Sequence, residues 1–272
     1  MTTIGGAMNG GRIRAIVEKE WLDMRKNKMV VIMMALLPVL MVGLILGSTF
    51  FMQRAPEEEL NLNTGSQSFS LPPELAALGA KDGFIALMND QYMFYLLLIP
   101  MALPVYVAAY SIIGEKETRS LEPLLATPIS TAELLVGKTI AAVTPAVILA
   151  WFSFALVAAG MYFIASRVVF AQLVRPVWTL GMLLLSPLFA LLSTSCGVIA
   201  SSRLNDPRAA QQVTAVFVVP VIGASIAVLA GKIFLNVQVL LWAPAVVALV
   251  NLGVLWVAVR LFQRETILTR WK

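Results

Sequence analysis

Apolar residues run along this chain in six long blocks, without the polar stripe or strict alternation of a water-soluble fold. About 20 such residues are needed to cross a hydrocarbon layer roughly 30 Å thick. The blocks Met29–Met52, Tyr92–Ile113, Thr139–Ala165, Val177–Ser201, Val213–Ala230 and Val239–Phe262 meet or approach that length. The fifth is the shortest, and Pro244 interrupts the sixth near its start, so Ile233–Trp242 reads either as a re-entrant piece or as part of the last crossing. The pattern predicts an all-α integral membrane protein: six transmembrane helices in a single domain covering residues 1–272. Met29–Met52 follows a basic stretch, as a signal peptide would, but its apolar run is too long and no small-residue cleavage site follows closely. It reads as a retained span.

Composition agrees and narrows the chemistry. Hydrophobic residues make up 59% and charged residues 13%, against about 45–50% and about 25% in ordinary globular proteins. Mean hydropathy is +0.85, too high for a chain that must coat itself in water. Histidine is absent, which excludes imidazole-based nucleophilic pairs, metal sites and proton relays. The single cysteine, Cys196, has no intrachain disulfide partner. The net charge of +5 is explained by placement: fifteen of the twenty Lys and Arg residues fall in the N-terminal tail, the second and fourth connections and the C-terminal tail. This asymmetry predicts a multi-pass protein of the cytoplasmic (inner) membrane with both termini in the cytoplasm, and no role in binding nucleic acid.

The membrane-deep parts of the six spans carry no Asp, Glu, Lys or Arg. Ion-coupled carriers and charged pore filters usually keep such groups there, or expose backbone from a broken helix. The polar atoms left in the spans are few, with Asn251 and the cluster Ser193, Thr194 and Ser195 the most prominent; that cluster is suited to hydrogen bonds between helices. Pro38, Pro100, Pro104, Pro145, Pro187 and Pro220 place at least one proline in each of the first five spans, and each is expected to kink its helix. Gly43 and Gly47 form a Gly-x-x-x-Gly face that serves helix packing within the bundle or a dimer interface equally well.

Three segments lie outside the spans. Residues 11–28 predict an amphipathic interfacial helix with Ile13, Ile16, Val17, Trp21 and Met24 on one face, into which Glu20 intrudes. Residues 53–91 predict an external loop carrying short helices that cap the bundle. Residues 114–138 predict a helix–turn–helix outside the membrane that presents Leu121, Leu124 and Leu125 and closes at Thr127-Pro128, with Ser130 or Thr131 capping the next helix. Such leucines need a socket, on a partner or under the chain's own bundle. The string Ala132–Thr139 satisfies a relaxed phosphate-loop pattern, yet Glu133, Leu134, Leu135 and Val136 favour helix where a glycine-rich loop is required. No nucleotide site is expected in this chain, and Lys138 reads as a headgroup anchor.

The string EKETRSLEPLLATPIS, followed by ELLVGK, resembles the signature of type-2 ATP-binding-cassette permeases, the sodium-efflux and multidrug-export branch included. KEWLDMRKNK resembles that family's interfacial helix ahead of the first span. The resemblance implies that residues 114–138 hold a cytoplasmic coupling helix that docks into a separate ABC ATPase subunit. It assigns docking to Glu115, Glu117, Arg119, Leu121, Glu122, Leu124, Leu125, Thr127 and Pro128, with Arg119 standing where the family commonly has glycine. It implies an exporter of two permease subunits and two ATPases, with ATP and Mg held by the ATPase partner and no cofactor on this chain. The second permease is another copy or a homologous chain. An ion-coupled carrier or pore and a non-transporting membrane scaffold remain the alternatives that the residues themselves allow.

Overall fold

Helix caps and prolines fix where the elements begin and end. The structure, a computed structural model, describes residues 9–57, 72–117, 129–204, 209, 212, 215–230, 232 and 235–261. Helix α1 (Gly10–Lys26) opens on Asn9, whose side chain accepts from the Gly11 N–H. Asn27 then serves twice. Its backbone N–H donates back to Asp23 and Met24, and its side chain accepts from the Met29 and Val30 N–H groups at the head of α2 (Lys28–Arg54). One asparagine therefore makes the corner between the amphipathic helix and the first apolar one.

The chain continues through α3 (Pro73–Ala76), α4 (Ala80–Leu96), α5 (Leu98–Glu117), α6 (Thr131–Ile164), α7 (Arg167–Leu173) and α8 (Pro176–Arg203). A 3-10 turn (Ala215–Val218) leads into α9 (Val219–Leu229), and α10 (Val237–Leu261) follows. No strand occurs among the described residues. Among those residues, five helical stretches are long and apolar enough to cross a membrane, and Ala215–Leu229 is a shorter apolar one. This is an all-α membrane protein.

Helix α8 is the centre, packing against α5, α6 and α10, while α6 also carries α1 and α2. The most apolar windows of α4–α5 and α7–α8 are 67% and 61% buried, against 17% for α2 and 11% for α10, which are therefore peripheral. Their outward faces expose Val39, Leu40 and Phe51 on α2, and Leu241, Trp242, Leu249 and Leu252 on α10, a surface suited to lipid or to another apolar subunit.

Lipid is as apolar as leucine, so close contact and interhelical hydrogen bonds must hold the helices together. Ile85, Met93, Leu96, Ile99, Val157 and Met161 are fully enclosed. Leu46 lies against Gly160 so closely that an added Cβ would sit 2.6 Å from its methyl carbons. Ser193 donates across to the Met101 carbonyl, and Asn251 Nδ2 donates to the Leu188 carbonyl at 3.0 Å. Thr194 and Ser195 instead bond back to Ala190 and Leu191 of their own helix, so of that cluster Ser193 ties two helices. A Cβ at Gly43 or Gly47 would meet nothing within 4 Å among the described residues, so neither glycine is needed there to let a described helix approach.

Residues 53–91 differ from the expected loop. The short α3 is there, but twelve of the 17 residues of α4 also fall in this stretch, and α4 packs against α2, α7 and α9. Lys81, Asp82 and Asp90 depress the local hydropathy and so hide the helix. Tertiary partners absorb them: Lys81 Nζ donates to the Gln53 and Ala55 carbonyls, and Ser166 Oγ donates to Asp82. The helix expected from Tyr92 therefore begins earlier and breaks at Leu97. The helix that carries the third span begins at Thr131, ahead of Thr139, and its 34 residues extend about 51 Å at about 1.5 Å each. Lys138 lies inside it. Pro220 sits in the first turn of α9, where its missing N–H costs no helical bond, so it kinks nothing. Residues 237–242 belong to α10, which runs through Pro244 unbroken, while residues 233 and 234 lie outside the described residues.

Candidate coupling site

The leucine-bearing segment falls between α5 and α6. Arg119, Leu121, Glu122, Leu124, Leu125, Thr127 and Pro128 lie outside the described residues; Glu115 and Glu117 stand in the last turns of α5. What the structure defines is the frame that holds the segment's two ends. On the α6 side, Ser130 is the cap: its side chain accepts from the Glu133 N–H, and the Glu133 carboxylate accepts from the Ser130 N–H at 2.8 Å, a complete capping box.

Helix α1 lies along this frame. The Asn9 N–H donates to Glu133 Oε1 at 2.9 Å, and Arg12 stands 3.6 Å from its other oxygen. One turn on, Ile16 packs on Gly137, where an added Cβ would fall 2.7 Å from Ile16 Cγ2 and 2.9 Å from its Cβ. Next, Glu20 meets Lys138 at 2.7 Å, with each side chain only 5% exposed. Last, the Trp21 indole N–H donates to the Ala141 carbonyl at 3.1 Å. Pro145 has no N–H to offer Ala141 four residues back, so the indole fills a vacancy that the proline creates.

Lys138 also donates to Ser111 Oγ on α5. The helix before the coupling segment, the helix after it and α1 therefore meet at one buried cluster. Burial alone would raise the Glu20 pKa. The attraction and hydrogen bond of Lys138, then Lys19 and the Ser111 hydroxyl, outweigh it and hold the carboxyl below its ordinary value. Glu20 is an ionised, fully partnered carboxylate.

The expected interfacial residues share the face of α1 turned to this frame. Ile16 and Val17 are buried, and Ile13, Trp21 and Met24 are half-buried, so the face meets protein where headgroups were expected. Glu20 on that face was the readable signal: a carboxylate on an apolar stripe needs a cation opposite. Sequence reasoning missed its partner, because Lys138 passes for a membrane-surface anchor when α6 is begun at Thr139.

Fit along this clamp yields a test. Gly137→Ala drives a methyl into the Cβ of Ile16, a β-branched residue with little freedom to yield. It is expected to destabilise the protein by about 1–3 kcal/mol, read as a lower unfolding midpoint in detergent. Gly43→Ala, over open space, is expected to lower nothing. Equal effects would mean that α1 is not seated as described.

The phosphate-loop-like string Ala132–Thr139 is helical throughout. Its N–H groups beyond the first turn are committed to the helix and do not converge on a phosphate. Among the described residues, no group of three or more His, Cys, Asp and Glu side chains is placed to hold a metal ion. The site has the parts for mechanical coupling: rigid helices, a buried ion pair and a segment held at both ends. Residues 14–258 match the family described as ABC-2 family transporter protein. No curated protein matches the chain.

Proposed function

We propose, from the premise that this chain belongs to the ABC-2 transporter family, that it is the permease subunit of an exporter powered by a separate ABC ATPase. Membership makes it a membrane transport component. The observation that carries the finer reading is the clamp formed by Glu20, Lys138 and Ser111, which fixes both flanks of residues 118–128 to α1. A push on that segment is passed at once to α5 and α6, which together grip the central α8. The α1 end is then cytoplasmic, as the basic residues require, and the α4 end external, in the cytoplasmic membrane. ATP and Mg belong to the partner ATPase, and a second permease, identical or homologous, covers an exposed apolar face. The resemblance of residues 115–138 favours the sodium-efflux and multidrug-export branch as its functional type.

Among the buried ionisable groups described, the one that could serve an ion-coupled carrier at the α4 end is Asp90. Its two oxygens are already engaged by Arg175 and Trp178, each at 2.6 Å, which leaves it a poor site for a moving ion. Vesicles containing this chain alone are expected to hydrolyse no ATP and to show no gradient-driven uptake; adding the ATPase subunit is expected to bring ATP-dependent turnover. Uptake by chain-only vesicles under an ion gradient would make the protein a carrier instead.

A further inference from the structure

The end of the bundle opposite α1 is closed around a feature that packing alone does not require. Three consecutive residues of α4, Asn89, Asp90 and Gln91, are polar and buried, and each is tied to a different element. Thr49 Oγ1 of α2 donates to Asn89 Oδ1 at 3.0 Å. Arg175, at the head of α8, and the Trp178 indole both donate to Asp90, at 2.6 Å. Ser225 Oγ of α9 donates to Gln91 Oε1 at 2.5 Å. Successive helix positions lie about 100° apart, so the three ties fan around α4 and hold it like a plug between α2, α8 and α9.

The plug has a hinge. Helix α4 ends at Leu96, Leu97 caps it while keeping a right-handed helical backbone, and α5 restarts at Leu98. Pro100 supplies no N–H to the Leu96 carbonyl, so the helical bonding across the junction is thinned, with the Leu97 N–H still donating to the Met93 carbonyl at 3.3 Å. Among the described residues the seal is also incompletely bonded: Asn89 Nδ2, Gln91 Nε2 and Arg175 Nε are buried with no acceptor there, a cost that water would relieve when the plug moves out. Beside the Asp90–Arg175 pair lies a small cleft lined by Glu74, Leu75, Leu87, Val228 and Leu235, through which water can reach the latch.

The geometry points to α4 as the outer gate of the permeation path, pivoting at Leu97 and latched by Asp90 on Arg175. This rests on the permease reading for its driving force, but the latch belongs to this chain alone. Met93, one turn deeper than the latch and fully enclosed, is the place to probe. In a Cys196→Ala background, Met93→Cys is exposed to a charged, membrane-impermeant thiol reagent added outside, with the chain and its ATPase in vesicles. Labelling is expected to be slow at rest and to rise with ATP. Without nucleotide, Asp90→Asn and, separately, Arg175→Gln are expected to raise its rate at least about tenfold, the shift in opening that losing a charge-assisted hydrogen bond brings. Folding of each variant is checked by its elution profile and unfolding midpoint. Labelling that stays slow in both folded variants overturns the gate. ATPase stimulation measured on the same vesicles is scored separately: its absence sinks the permease reading, and the two latch variants still decide the gate.

Discussion

Replacing Leu121, Leu124 and Leu125 together with Asp is expected to leave the protein inserted and folded while abolishing its stimulation of the partner ATPase. The three leucines sit in a segment outside the predicted spans, so the change places no charge in lipid. Burying each in a protein groove contributes about 1.5–3 kcal/mol, and a carboxylate driven into the same apolar socket reverses the sign of that contribution. Three such reversals exceed what a transient docking surface can absorb. The checks are the nucleotide hydrolysis rate of the reconstituted pair and protease accessibility of the tails. Retained ATPase stimulation with intact insertion would assign docking to another surface.

The second large effect comes from the buried ion pair. Lys138→Met leaves Glu20 charged in a site that is 5% exposed, and stranding one partner of such a pair typically costs about 3–5 kcal/mol. Helix α1 is then expected to leave α6, detected as new protease cleavage within Gly10–Lys26, and coupling of hydrolysis to transport to be lost. The double change Glu20→Met with Lys138→Met removes both desolvation costs and is expected to recover most of the stability. Acid acts on the same bond. Because the folded-state pKa of Glu20 is lowered, its contribution is complete above the ordinary glutamate value of about 4.3. It is lost as pH falls through the lower folded value, so α1 is expected to stay docked at neutral pH and loosen only in strong acid. A double variant less stable than Lys138→Met, or α1 released near neutral pH, would show that the pair does not hold the clamp.

Apolar runs made most of the helices legible. The cap at Ser130 was readable too, because capping is a local hydrogen-bond requirement that the sequence displays. What stayed hidden depended on partners far along the chain. Asp90 looks like a loop residue until Arg175 and Trp178, 85 and 88 positions away, are brought beside it. Lys138 looks like an anchor until Glu20, 118 positions away, neutralises it. Hydropathy scores a charge by its cost in lipid and cannot credit the counter-charge that the fold supplies. The same blindness shifted the start of the second crossing and concealed α4. Glu20 was the exception: its place on an otherwise apolar face of α1 announced a missing partner, though not its identity.

The role of the leucine segment is tested most directly by a photoreactive amino acid at position 124 of the otherwise native chain, irradiated in membranes that contain the ATPase subunit. A covalent adduct joining the two proteins through that residue is expected. An adduct formed with this chain's own helices, and none with the ATPase, would contradict it.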